Sequence, residues 1–160
     1  MDAPGHLPLT IISGGLDDPR VVALLELHVG SARAQTAPGS AQALDLSGLR
    51  AADIRFWSIW RGETLAGVGA LKLLDATHGE VKSMHTAQAL RRTGAGSAML
   101  RHIIGYARAE GLKRLSLETG SWDYFKAAHA LYRRHGFVEC GAFGDYRLDP
   151  NSVFMTLALA

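Results

Sequence analysis

The chain has 160 residues, of which 48% are hydrophobic and 20% charged, a balance typical of a globular protein that buries a core. Its formal net charge is +2 and it has no run of five basic residues, so the charge gives no indication of a nucleic-acid partner. Its single cysteine, Cys140, excludes an internal disulfide framework and favours a reducing compartment.

The N-terminus shows neither the basic nor the apolar region of a signal peptide. No apolar run reaches the length that spans a bilayer. We therefore expect a cytoplasmic protein with a single domain, over residues 1–160, and no membrane partner.

The first half of the chain contains signals for several strands and one helix. Asp17 or Asp18 can cap a helix that has Pro19 in its first turn. From Gly30 onward small and polar residues dominate. This composition predicts either a loop or a broken second helix for residues 30–53. Two alternating runs joined by a short turn then predict a hairpin. The elements predicted for this half are strands at 7–12, 54–60, 65–74 and 79–86 and a helix that covers 21–28.

The second half predicts two further helices and three strands. Apolar side chains recur at helical spacing after Gly96, and Gly111 is a helix C-terminal signal. Strands interleaved with helices in this order predict a mixed sheet with helices packed on it, in the α/β or α+β class. The elements predicted for this half are helices at 96–110 and 125–135 and strands at 114–117, 137–142 and 153–159.

A glycine-rich turn joins the strand at 79–86 to the helix at 96–110. The first turn of a helix presents backbone N–H groups without internal partners, and the helix dipole adds partial positive charge there. Glycines let a large anion approach the backbone, so the turn suits a pyrophosphate. It lacks the Gly-Lys-Ser/Thr of phosphate-loop NTPases, and Met99 stands where a dinucleotide fingerprint needs a small residue. The residues of the turn are Arg91, Arg92, Thr93, Gly94, Ala95, Gly96 and Ser97.

Two motifs resemble one family of enzymes. The turn fits Arg/Gln-x-x-Gly-x-Gly/Ala, and residues 130–137 fit Ala-x-Tyr-x-x-x-Gly-Phe downstream of it. With the order of elements, they are similar to the GNAT superfamily of N-acetyltransferases. The resemblance covers most of the chain and is strongest over residues 80–137. Residues 82–86, 117–121 and 143–155 resemble a bacterial subgroup that includes indole-acetic-acid acetyltransferase-like proteins.

The resemblance implies a GNAT-like, mostly antiparallel sheet of about seven strands with about four helices. It also implies that acetyl-CoA is the co-substrate. The glycine-rich turn would bind the pyrophosphate, with charge from Arg91 and Arg92, for which a solvated pair at a helix start is the alternative. The end of the preceding strand would pair with the pantetheine arm, and the N–H near Met84 would polarise the thioester carbonyl. The implied coenzyme-binding residues are Met84, His85, Thr86, Arg91, Arg92, Thr93, Gly94, Ala95, Gly96, Ser97 and Tyr132.

Acetyl transfer to an amine requires a base for the amine proton. Some members of the family have a glutamate base on the strand that precedes the glycine-rich turn, and Glu80 occupies that place. The alternative is a strand-end glutamate that is solvated or paired with Lys82. His85, Glu118 and His78 are rival bases.

Tyr132 is the acid that the resemblance implies, since this tyrosine reaches the coenzyme sulfur in the family. Its phenol has a reference pKa of about 10 against about 8.5 for a thiol, so it would act mainly as a hydrogen-bond donor. A core tyrosine beside Leu131 and Phe137 is the alternative. The family often has an asparagine seven residues earlier, where this chain has Phe125. Contact with the pantetheine arm from that helix start is therefore left open.

The resulting expectation is an N-acetyltransferase that transfers an acetyl group from acetyl-CoA to the amine of a small molecule, an amino acid or a peptide. The amine would attack directly within a ternary complex. A non-catalytic acyl-CoA-binding sensor or interaction module is the alternative. The scattered histidines show no metal-ligand spacing, so we expect no metal. The resemblance also allows a homodimer, because final strands often pair between subunits in that family.

Overall fold

A computed structural model describes residues 7–35, 46–87 and 93–159 of the chain. Within these residues, seven strands and four helices confirm the predicted α/β (α+β) class. The strands are β1 (Leu9–Ser13), β2 (Ile54–Arg61), β3 (Thr64–Leu73), β4 (His78–Thr86), β5 (Arg114–Gly120), β6 (Val138–Cys140) and β7 (Ser152–Ala158). The helices are α1 (Pro19–Gln35), the single-turn α2 (Leu46–Leu49), α3 (Ala95–Ala109) and α4 (Lys126–Arg134).

The seven strands form one sheet in the order β1-β2-β3-β4-β5-β7-β6. Neighbouring strands run antiparallel except β4 and β5, which are parallel. The parallel pairing is short and ends at Glu80 and Ser116. Both strands continue, β4 to Thr86 and β5 to Gly120, without further pairing to each other. A gap therefore opens in the middle of the sheet, between the C-terminal ends of these two strands.

Helices pack on both faces of the sheet, and each face has its own apolar cluster. The cluster under α3 and α4 includes Leu100, Ile103 and Leu115, which are fully buried, and it extends from β2 to β7. The cluster under α1 and α2 includes Val21 and Val68, and its strand residues come from β2 and β3 alone. Among the described residues, β4, β5 and β7 contribute no side chain to this second cluster. Other side chains therefore cover their half of the face.

The predicted order of elements is confirmed, with shifts at the ends of elements. α1 extends to Gln35, into the segment whose structure was left open, because Ala32, Arg33 and Ala34 favour helix. Residues 36–45 of that segment lie outside the described residues. The predicted strand at 137–142 is shorter and ends at Cys140, where the chain leaves the sheet edge. None of the helices in the described part of the chain combines the length and the apolarity needed to cross a bilayer.

Candidate active site

A β-bulge in β4 lies beside the gap. Val68 of β3 pairs with His85 whereas Ala70 pairs with Lys82, so two residues of β4 oppose one residue of β3. Ser83 in this bulge has a φ of 55°, a conformation that costs a residue with a Cβ about 1 to 3 kcal/mol. Such strain persists where the surrounding structure holds it, and it often marks functional sites. Here it occurs where β4 separates from β5.

The end of β4 meets the start of α3 and the middle of α4. A Cβ built on Gly96 would lie 3.5 Å from Thr86 Oγ1 and 3.3 Å from Leu131 Cδ2. Gly96 therefore keeps the first turn of α3 close to both neighbours. This contact brings together the predicted pantetheine-binding strand end and the predicted pyrophosphate turn.

The first turn of α3 begins at a glycine with a left-handed backbone. Gly94 is the N-cap with a φ of 91°, and a Cβ built on it would meet no atom within 4 Å. Its carbonyl accepts the N–H of Ala98 at 2.9 Å, which closes the turn. The N–H groups of Ala95, Gly96 and Ser97 belong to the part of a helix that has no internal acceptors. The structure thus provides the open helix start that the sequence predicted, while Arg91 and Arg92 lie outside the described residues.

A buried arginine holds the residue that precedes this turn. Arg61, only 8% exposed, donates from Nη2 to the Thr93 carbonyl at 3.0 Å and from Nη1 to the Leu7 carbonyl at 2.5 Å. Charge-assisted hydrogen bonds of this kind are stronger than neutral ones. Arg61 was not predicted from the sequence, because nothing near it in the chain indicates a contact with Thr93.

Tyr132 lies on α4 inside the larger apolar cluster and is 6% exposed. Gly136 ends the helix with a φ of 95°, and the Phe137 N–H then donates to the Tyr132 carbonyl at 3.1 Å. The rings of Tyr132 and Phe137 are 5.7 Å apart. The Tyr-x-x-x-Gly-Phe motif thus also contributes to the packing of the core. Burial raises the pKa of the Tyr132 phenol.

Glu80 lies at the point where the gap opens and its side chain is 4% exposed. Lys82 Nζ donates to Glu80 Oε2 at 3.1 Å, so the ion pair that was the alternative interpretation of Glu80 is present. The Tyr146 hydroxyl donates to the same oxygen at 2.5 Å. Lys82 Nζ also donates to the Tyr146 hydroxyl at 3.0 Å, which closes a triangle of three polar groups. Such pairing is what allows a carboxylate to stay buried.

Further polar side chains occupy the same face of β5 and β7. His78 Nε2 and Ser116 Oγ are 2.7 Å apart, and Ser116 Oγ lies 3.0 Å from Thr156 Oγ1. Ser152 Oγ donates to Glu118 Oε2 at 2.7 Å. Burial raises the pKa of the Glu118 carboxyl, against the opposing effects of the Ser152 hydrogen bond and the Lys82 charge. Glu80 and Glu118 therefore place two carboxyl groups on one face.

Aromatic rings border this polar face. The rings of Phe143 and Tyr146, in the segment between β6 and β7, are 5.1 Å apart, and Tyr146 lies 5.6 Å from Phe154 of β7. Phe143 also contacts the ring of His78 at 5.7 Å. Residues 141–151 thus take the place that α1 and α2 occupy on the other half of this face.

The remaining predicted site residues are distributed as follows. Met84, His85 and Thr86 are half-buried at the end of β4, and His78 is engaged with Ser116. Phe125 packs on Gly120, where a Cβ would lie 2.2 Å from its ring, so it fills the end of β5. Among the described residues, no group of three His, Cys, Asp or Glu side chains is arranged to hold a metal ion.

Comparisons with known proteins identify the family. The model of the acetyltransferase (GNAT) family matches residues 21–137. The chain belongs to the GNAT acetyltransferase family. It is 51% identical over 150 residues to the uncharacterized N-acetyltransferase YedL of Escherichia coli K12, covering 94% of each chain. It is 42% identical over 113 residues to the IAA acetyltransferase of Azospirillum brasilense, covering 70% of this chain and 72% of that protein.

A solved structure extends the agreement to the fold. The acetyltransferase of Bacillus subtilis, determined in complex with CoA, has a TM-score of 0.71 and 19% identity, and the match covers 96% of this chain and all of the other. This match confirms the GNAT sheet predicted from the sequence, and the family match and the curated relatives confirm the predicted acyltransferase class. The family match ends at Phe137, so Tyr146 lies outside the stretch that the GNAT motifs define.

Proposed function

We propose that this acetyltransferase uses acetyl-CoA to acetylate the amine of a small molecule, an amino acid or a peptide, by direct attack within a ternary complex. The observation that carries the proposal is the gap between β4 and β5. Glu80 lies where the gap opens, and the open helix start at Gly94 lies next to the end of β4. Amine acetylation by acetyl-CoA needs a base for the amine proton and a binding site for the pyrophosphate of the coenzyme. Glu80 and the helix start would supply them.

The residues around Gly94 fit the coenzyme. An anion can approach the unencumbered backbone there, and the CoA complex of the Bacillus subtilis structure supports the same ligand class. When bound, acetyl-CoA supplies an acetyl thioester, whose carbon–sulfur bond is exchanged for a carbon–nitrogen bond to the acceptor as the coenzyme thiol leaves. Residues 93–97, with Arg91 and Arg92, would hold the pyrophosphate, and residues 84–86 the pantetheine arm.

Glu80 is the base in this proposal. An amine with a reference pKa of about 8 to 10 is mostly protonated at neutral pH and must lose a proton before it can attack. The Glu80 carboxylate would accept this proton, directly or through water. Glu118 is the alternative base, because burial raises the pKa of its carboxyl and makes its ionised form a stronger proton acceptor.

Tyr132 would donate a hydrogen bond to the departing sulfur. Proton transfer from a phenol to a thiolate is unfavourable by about 2 kcal/mol at reference pKa values. Burial raises the pKa of Tyr132 further, so complete proton transfer becomes harder still. A hydrogen bond that strengthens as charge develops on sulfur needs no such transfer.

The test is thiol release from acetyl-CoA over a panel of amines, amino acids and peptides, with Glu80→Gln beside the wild type. We expect one acceptor class to trigger release. In Glu80→Gln we expect turnover to fall by about 10²- to 10⁴-fold while coenzyme affinity by calorimetry stays nearly unchanged. Glu139→Gln is the matched control, because Glu139 is an exposed carboxylate whose ion-pair partner, Arg133, is exposed as well.

Each contrary outcome has a distinct meaning. Full turnover in Glu80→Gln together with a loss in Glu118→Gln would transfer the role of base to Glu118. Micromolar coenzyme binding without release for any acceptor would favour the non-catalytic sensor. Absence of coenzyme binding would overturn the assignment of the turn at Gly94.

A further inference from the structure

Tyr146 reaches the candidate base from a distant part of the chain. It is 66 residues away from Glu80 and lies between β6 and β7, yet its hydroxyl donates to Glu80 Oε2 at 2.5 Å. The same hydroxyl accepts from Lys82 Nζ at 3.0 Å, and Lys82 Nζ donates to Glu80 Oε2 at 3.1 Å. Each member of this triangle therefore contacts the other two.

The triangle is rigidly held. The side chains of Glu80 and Lys82 are 4% and 10% exposed. The Tyr146 ring lies against Phe143 and Phe154 at 5.1 Å and 5.6 Å, and the Lys82 ammonium lies 5.6 Å from its centroid. Packed rings leave the phenol few alternative rotamers. A hydroxyl fixed in this way can determine the orientation of the carboxylate to which it donates.

Both hydrogen bonds fall on one carboxylate oxygen. Oε2 accepts from Lys82 and from Tyr146, whereas Oε1 receives no hydrogen bond from the described residues. An acceptor for the amine proton must be ionised and must have an oxygen available in a fixed direction. The triangle provides the second, because both donors bind Oε2 and leave Oε1 for a third.

We propose that Tyr146, assisted by Lys82, is a positioning residue that orients Glu80 through Oε2 and leaves Oε1 to take the proton of the acceptor amine. This inference rests on the proposed function, since it needs Glu80 to be the base. Tyr146 itself exchanges no proton in the reaction. Burial, followed by the neighbouring Glu80 charge, raises the pKa of the Tyr146 phenol, so it remains a donor throughout the neutral range.

The variant that isolates this role is Tyr146→Phe, which keeps the ring against Phe143 and Phe154 and removes only the hydroxyl. We expect kcat to fall by about 10- to 100-fold, because a misplaced base loses near-attack geometry. We also expect the loss to fall on kcat and not on the KM values, because the variant removes only the group that orients the base. Coenzyme affinity should not change.

Tyr106→Phe is the matched control. The Tyr106 hydroxyl also takes part in one side-chain hydrogen bond, from Arg55 Nε at 3.0 Å, but Tyr106 lies on α3 and packs against the apolar cluster of the opposite face. It should keep the wild-type kcat. A purely structural Tyr146 would lower the thermal midpoint in Tyr146→Phe and leave kcat in place below that midpoint, which would overturn the proposal.

Two further outcomes separate this proposal from the proposed function. Wild-type kcat in Tyr146→Phe together with a large loss in Glu80→Gln would overturn the role of Tyr146 alone. Wild-type kcat in Glu80→Gln would overturn both. A spectroscopic test needs no acceptor: in protein labelled at tyrosine 13Cζ, the resonance that is missing from Tyr146→Phe should lie at a different chemical shift in Glu80→Gln than in the wild type. An unchanged chemical shift would also overturn the proposal.

Discussion

The two faces of β4 and β5 differ in chemistry although they are equally buried. Val81 and Leu115 point to the face under α3 and are 4% and 0% exposed. Glu80 and Ser116 are their immediate neighbours on the opposite face and are 3% and 1% exposed. Because side chains alternate along a strand, the same two strands supply the apolar core and the polar site. Burial alone therefore does not separate structural from functional positions here.

What differs is the element that covers each face. The apolar sides of α3 and α4 cover one face. On the other, the aromatic rings of Phe143 and Tyr146 lie over polar groups that are bonded to one another, such as Ser116 with His78. Buried polar networks of this type are costly when incomplete, so we expect the two faces to respond to substitution in different ways.

The largest expected effect comes from the apolar face. Leu115→Ala should lower the free energy of unfolding by about 2 to 5 kcal/mol, because it leaves a cavity in the core. Ser116→Ala, one residue away, should lower it less, by about 1 to 3 kcal/mol, because His78 Nε2 and the Thr156 hydroxyl each lose a hydrogen-bond partner. Urea denaturation of both variants measures the difference. Equal losses would mean that the two faces do not differ in the way described.

Prediction from the sequence reached furthest where the interacting residues are close in the chain. The helix starts at Gly94, in the predicted glycine-rich turn, and the Tyr132–Phe137 contact is the core packing that was the alternative interpretation of Tyr132. Their roles toward the coenzyme and the acceptor stay predictions. The strand order did not follow from the sequence, because no local period reports that β7 lies between β5 and β6.

The contacts that the sequence did not predict are long-range. Tyr146 is 66 residues from Glu80, and Arg61 is 32 residues from Thr93. Both contacts depend on which strands become neighbours and on which face each side chain lies. For Glu80, the sequence offered Lys82 as a partner because the two lie on the same face of one strand. No pattern in the sequence places Tyr146 beside Glu80 or Lys82.

The second prediction concerns the first turn of α3, the helix that covers the apolar face, and its part in binding the coenzyme. Gly94→Ala should cost about 1 to 2 kcal/mol and weaken coenzyme binding. The Gly94 φ of 91° strains any residue with a Cβ, whereas the space around the position is open. Gly105→Ala in the same helix is the control. Its Cβ would also meet no atom within 4 Å, and its φ is not positive, so it should stabilise the protein by about 1 kcal/mol.

Calorimetry with acetyl-CoA and urea denaturation distinguish the two glycine variants. A loss of affinity in Gly94→Ala but not in Gly105→Ala would place the functional part of α3 at its first turn. Equal affinities would indicate that the left-handed N-cap serves only the fold.

The smallest effect that we expect concerns a polar contact on the otherwise apolar face. His129 of α4 is 8% exposed, and its Nε2 lies 2.6 Å from Thr119 Oγ1 and 3.0 Å from the Gly120 carbonyl. Burial lowers the pKa of His129, with the Arg133 charge acting in the same direction. In the unfolded chain a histidine has a pKa of about 6.5. As pH falls through this value, the unfolded chain binds the proton first, and the free energy of unfolding must decrease.

His129→Gln should therefore reduce the loss of stability between about pH 8 and about pH 5. The loss should not vanish, because burial also lowers the pKa values of His102 and His135. Urea midpoints of both proteins at the two pH values measure the change, and kcat at pH 8 should be that of the wild type. An unchanged pH dependence would mean that the pKa of His129 is the same in the folded and the unfolded protein. A reduced kcat with unchanged stability would instead give His129 a part in the chemistry.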